Sequence, residues 1–156
     1  MLEDLATRQP LSEGVTPRNT TALLGRAYVA LGRRIVDGVT DAGFPQRPAY
    51  SAVMAHIDIA GGTRLSTIAR RANITPQAVG ELVDDLERLG YVAREPDPDD
   101  RRAKRIVLTD RGQASVRAAL ATISGLEAEL EDLLGAGGLA DLHETLIRII
   151  DAAHGD

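Results

Sequence analysis

Four of the five residues from 101 to 105 are cationic: Arg101, Arg102, Lys104 and Arg105. Charges packed this closely suit phosphate oxygens, which they meet through charge-assisted hydrogen bonds. The whole chain is acidic, with a formal net charge of −5 over 156 residues, and that alone argues against a nucleic-acid partner. The distribution argues for one. Residues 64–111 carry a net of +1, and the remainder a net of −6. A second stretch, Thr75-Pro76-Gln77-Ala78-Val79-Gly80-Glu81, has side chains able to read base edges. The Gln77 carboxamide can bond adenine twice, while Ala78 and Gly80 allow close approach to bases or to a thymine methyl. Thr75 caps a helix, and a cap hydroxyl can also reach DNA. Glu81 could accept from cytosine N4, but an ion pair with arginine is its more ordinary role. Asp84 and Asp85 would repel phosphates. They are expected outside the groove, or paired with Arg88 one turn further on.

Other chemistry is poorly supplied. The chain has no Cys, which excludes disulfides, thiolate metal sites, thiol redox switches and Cys nucleophiles. Of the three His, His143 and His154 stand eleven residues apart on one expected helix, too far to share a metal. His56 and Asp58, two apart on another, point to different faces. No nucleophile elbow, Walker loop, H-E-x-x-H or dinucleotide fingerprint occurs. The expectation is a non-enzyme with no catalytic residue, metal or cofactor. No apolar run approaches the ~20 residues of a membrane span. The N-terminal MLEDLATRQPLSEG has no apolar segment of a signal peptide. A cytoplasmic protein that does not engage membranes is expected.

These residues need elements to hold them. Apolar residues at Leu24, Tyr28, Leu31, Ile35 and Val39 mark one face of a helix from about 17 to 42. A second helix is expected over about 48–59, and a short extended piece at 63–65. Ser66 then reads as the N-cap of a helix to about 72. Asn73-Ile74 makes a tight turn. Thr75 followed by Pro76 opens a helix to about Leu89, with Val79, Leu82, Val83, Leu86 and Leu89 inward, and Gly90 closes it in a left-handed conformation. From Gly90 the apolar period changes to 2. Strands at 91–95 and 104–108 flank the turn-rich PDPDDRRA. Thr109 caps a helix over about 110–134, with Val116, Leu120, Ile123, Leu126, Leu130 and Leu133 inward, and a last helix covers about 139–153. Two short helices joined by a tight turn signal a helix-turn-helix; the charged hairpin behind them adds a wing. Aromatics are only 3%, so aliphatic residues fill the core. The long end helices carry more apolar surface than one small domain can cover, which points to a homodimer.

The block from Arg64 to Gly112 resembles the multiple-antibiotic-resistance regulator (MarR) family of winged-helix transcription factors. The matching pieces are Ile68-Ala69-Arg70-Arg71, Leu86-Glu87-Arg88-Leu89-Gly90-Tyr91-Val92-Ala93-Arg94, Asp100-Arg101-Arg102 and Leu108-Thr109-Asp110-Arg111-Gly112. The motif block is about a third of the chain, and the helix order extends the likeness to nearly all of it. The resemblance implies a mainly α fold with a small β-hairpin wing, a winged helix-turn-helix flanked by long dimerisation helices. Residues 1–16, with Pro10 and Gly14 and no sustained apolar period, are expected to form a flexible arm, and 17–156 a single domain. Its DNA-binding lobe spans about 46–110, between dimerisation helices at about 17–42 and 110–153. It implies a homodimeric regulator of double-stranded DNA, most often a repressor on a pseudo-palindromic operator. Arg102 would enter the minor groove, with Asp100 holding its conformation. Arg101, Lys104 and Arg105 would serve phosphates or the hairpin; Ser66 and Thr67, at a helix N-terminus, are expected to bind phosphate through backbone N–H groups, and Pro76 counts among the DNA-binding residues at the start of the recognition helix. Glu81 departs from the family habit of a basic or hydroxyl residue nearby. Family members commonly bind small aromatic or anionic effectors between the helices and the lobe, and Tyr28, Arg34, Tyr50 and His56 are candidates by position. The competing reading, prompted by the acidic recognition helix, is a winged helix used for protein–protein interaction without DNA readout.

Overall fold

The computed structural model describes residues 19–100 and 102–154. The expected arm at 1–16 and Arg101 lie outside them. In chain order the elements are α1 (Thr20–Asp41), α2 (Pro48–Met54), β1 (Thr63–Arg64), α3 (Leu65–Ala72), α4 (Pro76–Arg88), β2 (Val92–Pro96), β3 (Lys104–Leu108), α5 (Asp110–Leu134) and α6 (Gly138–His154). The protein is mainly helical with one small antiparallel sheet of order β1-β3-β2.

Local chemistry sets most boundaries. Asn19 caps α1 by accepting from the Ala22 N–H at 2.9 Å, so the helix begins at Thr20 rather than near 17. After α4, the Tyr91 N–H bonds the Leu86 carbonyl and the Gly90 N–H bonds that of Glu87. With Gly90 at φ 75°, this is the Schellman closure that glycine permits. Three expectations are corrected. Ser66 is not a cap: α3 starts at Leu65, with Arg64 in extended conformation before it, because β1 pairs with β3 up to Arg64. The second helix stops at Met54, where single turns and the Asp58 carboxylate, bonded to the Ala60 and Gly61 N–H groups, take over the backbone. His56 and Asp58 therefore do not share a helix. Leu89 ends α4 exposed rather than inward.

One apolar cluster holds the lobe together. Tyr50, Val53, Met54 and Ile57 pack with Ile68, Val79, Val83, Leu86, Tyr91, Val92, Ile106 and Leu108. The Tyr91 hydroxyl donates to the Pro45 carbonyl at 3.0 Å, satisfying the one polar atom of an otherwise buried ring. The helices at the chain's ends differ. On α1 the expected inward face buries only Val39, and Tyr28 is 78% exposed. On α5 Leu126 is buried while Leu120, Ile123 and Leu133 are exposed, as are Leu142, Ile147 and Ile149 on α6. These faces turn away from the lobe. α1 and α5 pack on each other, with Gly38 so close to Thr122 that a β-carbon there would meet its hydroxyl at 2.6 Å. A bidentate ion pair from Arg34 to Glu129, 2.7 and 2.9 Å, also joins them.

Candidate nucleic-acid interface

The turn between α3 and α4 is built by Asn73, left-handed at φ 53°. Asn tolerates that conformation better than other non-glycine residues. The Ile74 N–H closes it onto the Ala69 carbonyl. Thr75 is extended and accepts from the Ala78 N–H at 3.2 Å, with Pro76 at the first helical position. Capping thus aims the start of α4 outward. Thr75, Pro76, Gln77 and Glu81 are exposed, and Ala78 and Gly80 are half-buried. A β-carbon at Gly80 would meet nothing within 4 Å, so the glycine leaves clearance on the helix surface. A shallow concavity beside it is lined by Ser66, Arg70, Asn73 and Thr75. Thr67 is half-buried on the first turn of α3.

Three of the four acidic residues of α4 pair with arginines. Arg94 on β2 pairs with Asp84 at 2.6 Å and Glu87 at 2.5 Å. Asp85 pairs with Arg88, as expected, and also accepts from the Tyr50 hydroxyl at 3.4 Å, with Arg47 at 3.9 Å. These carboxylates lie on the C-terminal half of α4, away from its exposed start. Glu81 differs from expectation. Its partner among the described residues is the Gln77 amide at 3.3 Å. The positions three and four residues away are Gln77, Ala78, Asp84 and Asp85, so the helix offers it no arginine.

Hydrogen bonds tie together the described residues of the wing turn. Glu95 faces Arg105 and Pro96 faces Lys104 across β2 and β3. The Asp97 N–H bonds the Ala103 carbonyl, and the Ala103 N–H bonds that of Asp100. The Asp97 carboxylate accepts from the Asp99 and Asp100 N–H groups at 2.9 and 3.3 Å, and from Arg64 Nε at 2.6 Å. Hydrogen bonding, first from Arg64 and then from the backbone, pulls its pKa down to about 2. Asp100 accepts from the Arg102 backbone N–H at 3.0 Å. Arg102 and Lys104 are exposed, whereas Arg105 is half-buried and paired with Glu95 at 3.2 Å. Sequence reasoning missed Arg64, Asp97 and Arg94. Arg64 and Asp97 stand 33 residues apart, beyond any local pattern.

Between α1, α2 and α5 lies a crevice of about 410 Å³. Ile35, Met54, Ile57, Leu120 and Ile123 form apolar walls, Gln46, Ser51 and Ser115 are polar, and no charged residue lines it. Gln46 donates to the Ser115 hydroxyl at 2.5 Å. The four residues offered as effector ligands are not brought together there. Tyr28 is exposed on α1, Arg34 is tied to Glu129, Tyr50 is in the core beside Asp85, and His56 follows α2. His143 faces Glu127 at 3.2 Å. Among the described residues no cluster of His, Cys, Asp or Glu could hold a metal.

Comparison with known proteins places this geometry. Residues 45–103 match the model of the MarR family. The repressor MdtR of Bacillus subtilis is 28% identical over 109 residues, 70% of each chain. The regulator YcgE of the same organism is 32% identical over 101 residues, which span 60% of this chain and 64% of YcgE. Among solved structures, the repressor CouR bound to a 23-mer DNA duplex superposes with a TM-score of 0.70 at 24% identity, covering 94% of this chain and 99% of CouR. CouR of Rhodococcus jostii RHA1 is also known bound to p-coumaroyl-CoA, with a TM-score of 0.68 at 23% identity, covering 87% of this chain and 94% of that one. Those two likenesses are of fold. With a matched central segment, related regulators and a shared fold, the chain is similar to the MarR family of winged-helix regulators.

Proposed function

We propose that the protein is a homodimeric, sequence-specific repressor of transcription on a pseudo-palindromic operator. One observation carries the reading: the start of α4 and the wing residue Arg102 are exposed, while Asp84, Asp85 and Glu87 are all paired with arginines. In this reading α4 enters the major groove, where Thr75, Gln77, Ala78, Gly80 and Glu81 meet base edges. Arg102, oriented by Asp100, enters the flanking minor groove. Ser66, Thr67, Pro76, Arg101 and Lys104 contact the backbone, and Arg105 braces the hairpin. The lobe at about 46–110 is carried by the helices at about 17–42 and 110–153, whose exposed apolar faces pair across the dimer. Half-site centres then lie about one helical turn apart, ~10 bp. The pairing of Asp84, Asp85 and Glu87 with arginines weakens the motive for the protein–protein alternative, although Glu81 keeps its charge at the exposed start of α4. No described helix is long and apolar enough to cross a membrane, consistent with a regulator at work in the cytoplasm. The crevice takes the effector. Its uncharged lining favours an aromatic or other apolar ligand with a hydrogen-bonding end over an anion, and Gln46 and Ser115 meet that end.

The test is a gel shift of genomic fragments over a range of salt, followed by sequencing of the fragments retained. Enrichment of an inverted repeat, with affinity falling steeply as salt rises, supports the reading. Retention without sequence preference, or none, sinks it.

A further inference from the structure

We propose that Arg64 is a positioning residue for DNA binding: by clamping Asp97 it fixes the wing relative to α4 and so sets the spacing between the major-groove and minor-groove contacts. The inference rests on the DNA-binding reading above. Arg64 stands at a junction. It is the last residue of β1, opposite Arg105 of β3, and it immediately precedes α3 of the helix-turn-helix. Its guanidinium reaches Asp97, which is only 6% exposed at the root of the wing turn. Asp97 gathers that turn. One carboxylate oxygen takes the N–H groups of Asp99 and Asp100, the other takes Arg64, and its own N–H closes the hairpin onto Ala103. Asp100 in turn holds the backbone of Arg102. A continuous chain of hydrogen bonds therefore runs from the start of α3 to Arg102.

Backbone pairing alone is a weak hold. β1 has two residues and reaches β3 only as far as Arg105, so the last pair before the turn, Pro96 with Lys104, is two-stranded. Two-stranded ribbons are marginally stable and twist freely. The clamp also reduces an electrostatic objection, that Asp97, Asp99 and Asp100 crowd a tip meant to approach phosphates. Arg64 neutralises the buried one, and Asp100 is spent on the Arg102 backbone. The guanidinium pKa is raised, first by the hydrogen bond to Asp97, so the charge persists at any working pH.

The absence of native Cys permits a direct test. Spin labels on Gln77→Cys and Asp99→Cys report the distance from α4 to the wing. The parent should give a narrow distribution and Arg64→Met a broad one, with Arg64→Lys between them. On a retained operator fragment, Arg64→Met should weaken binding on the order of tenfold, the effect of ~1.4 kcal/mol. It should lose hydroxyl-radical protection in the flanking minor groove and keep guanine N7 protection in the major groove. Arg64→Met combined with Arg102→Ala should bind no more weakly than Arg102→Ala alone, because the clamp acts through that arginine. A label distribution unchanged in folded Arg64→Met, retained flank protection, or additive losses would overturn the proposal. If the distribution broadens but the parent binds no operator, the DNA reading fails and the positioning role falls with it, while the clamp itself remains.

Discussion

The carbonyl oxygen of Tyr91 occupies the space where a side chain on Gly112 would begin: a β-carbon at 112 would sit 2.0 Å from it. Thr109 locks the contact. Its N–H bonds the Tyr91 carbonyl, its hydroxyl donates to the Gly90 carbonyl at 2.6 Å, and the same oxygen accepts from the Gly112 N–H at 3.0 Å. The segment Leu108-Thr109-Asp110-Arg111-Gly112 is therefore the weld between the wing sheet and α5. Gly112→Ala should cost about 1–3 kcal/mol by forcing β2 and α5 apart. Urea titration measures it, and an unchanged midpoint would show that the joint can yield.

Asp97 makes stability depend on acid. Its folded pKa, about 2, lies below its ordinary 3.8. The stabilisation from the ionised form is therefore complete above about pH 4 and is lost as pH falls through about 2. Asp97→Asn should be less stable than the parent at neutral pH, and the gap should close across that window. Urea midpoints for both proteins from about pH 7 to 2 test this; a gap constant with pH contradicts it.

Arg102 is exposed, so Arg102→Ala should melt like the parent. Operator affinity should fall, and the slope of log affinity against log salt should drop by about one unit. Arg102→Lys should recover part of the loss, since charge remains without the planar donor fork. Asp100→Ala should lose less than Arg102→Ala. Salt titrations of the three variants decide it, and unchanged affinity in folded Arg102→Ala would remove the wing from binding.

Gln77→Ala should lose discrimination among operator variants by about 1–3 kcal/mol at one position, with smaller effect on non-specific affinity. Glu81→Ala frees the Gln77 amide from its 3.3 Å bond and should change the ranking at that same position. Identical rankings for parent and Gln77→Ala would show that Gln77 reads no base.

The exposed apolar residues of α1, α5 and α6 predict a dimer at micromolar concentration by sedimentation. Ile147 on α6 is 57% exposed. Ile147→Arg should shift the species toward monomer while the lobe's buried cluster, which does not include it, stays folded. A parent that sediments as a monomer contradicts the assembly.

Much of this fold was legible in the sequence because the chemistry is local. The Thr75 and Thr109 caps, the Asn73-Ile74 turn, the left-handed Gly90 and the turn-rich 96–103 segment act over a few residues, and apolar periodicity named most of the helices. The candidate base-reading residues follow from the same logic, since a cap and a proline define where a helix begins. The Asp85–Arg88 pair was readable for the same reason, at three residues' separation. Tertiary structure decided whatever joins distant segments. Pairing of β1 with β3 moved the start of α3 to Leu65 and left Ser66 without a capping role. Packing divided the end helices into a covered and an uncovered face, which periodicity alone reads as one. It set Arg64 on Asp97 across 33 residues and Arg34 on Glu129 across 95, and it lined the crevice with Gln46 and Ser115 rather than with Tyr28 or His56. Ion pairs and cavity walls arise only when separate elements meet, so no local pattern encodes them.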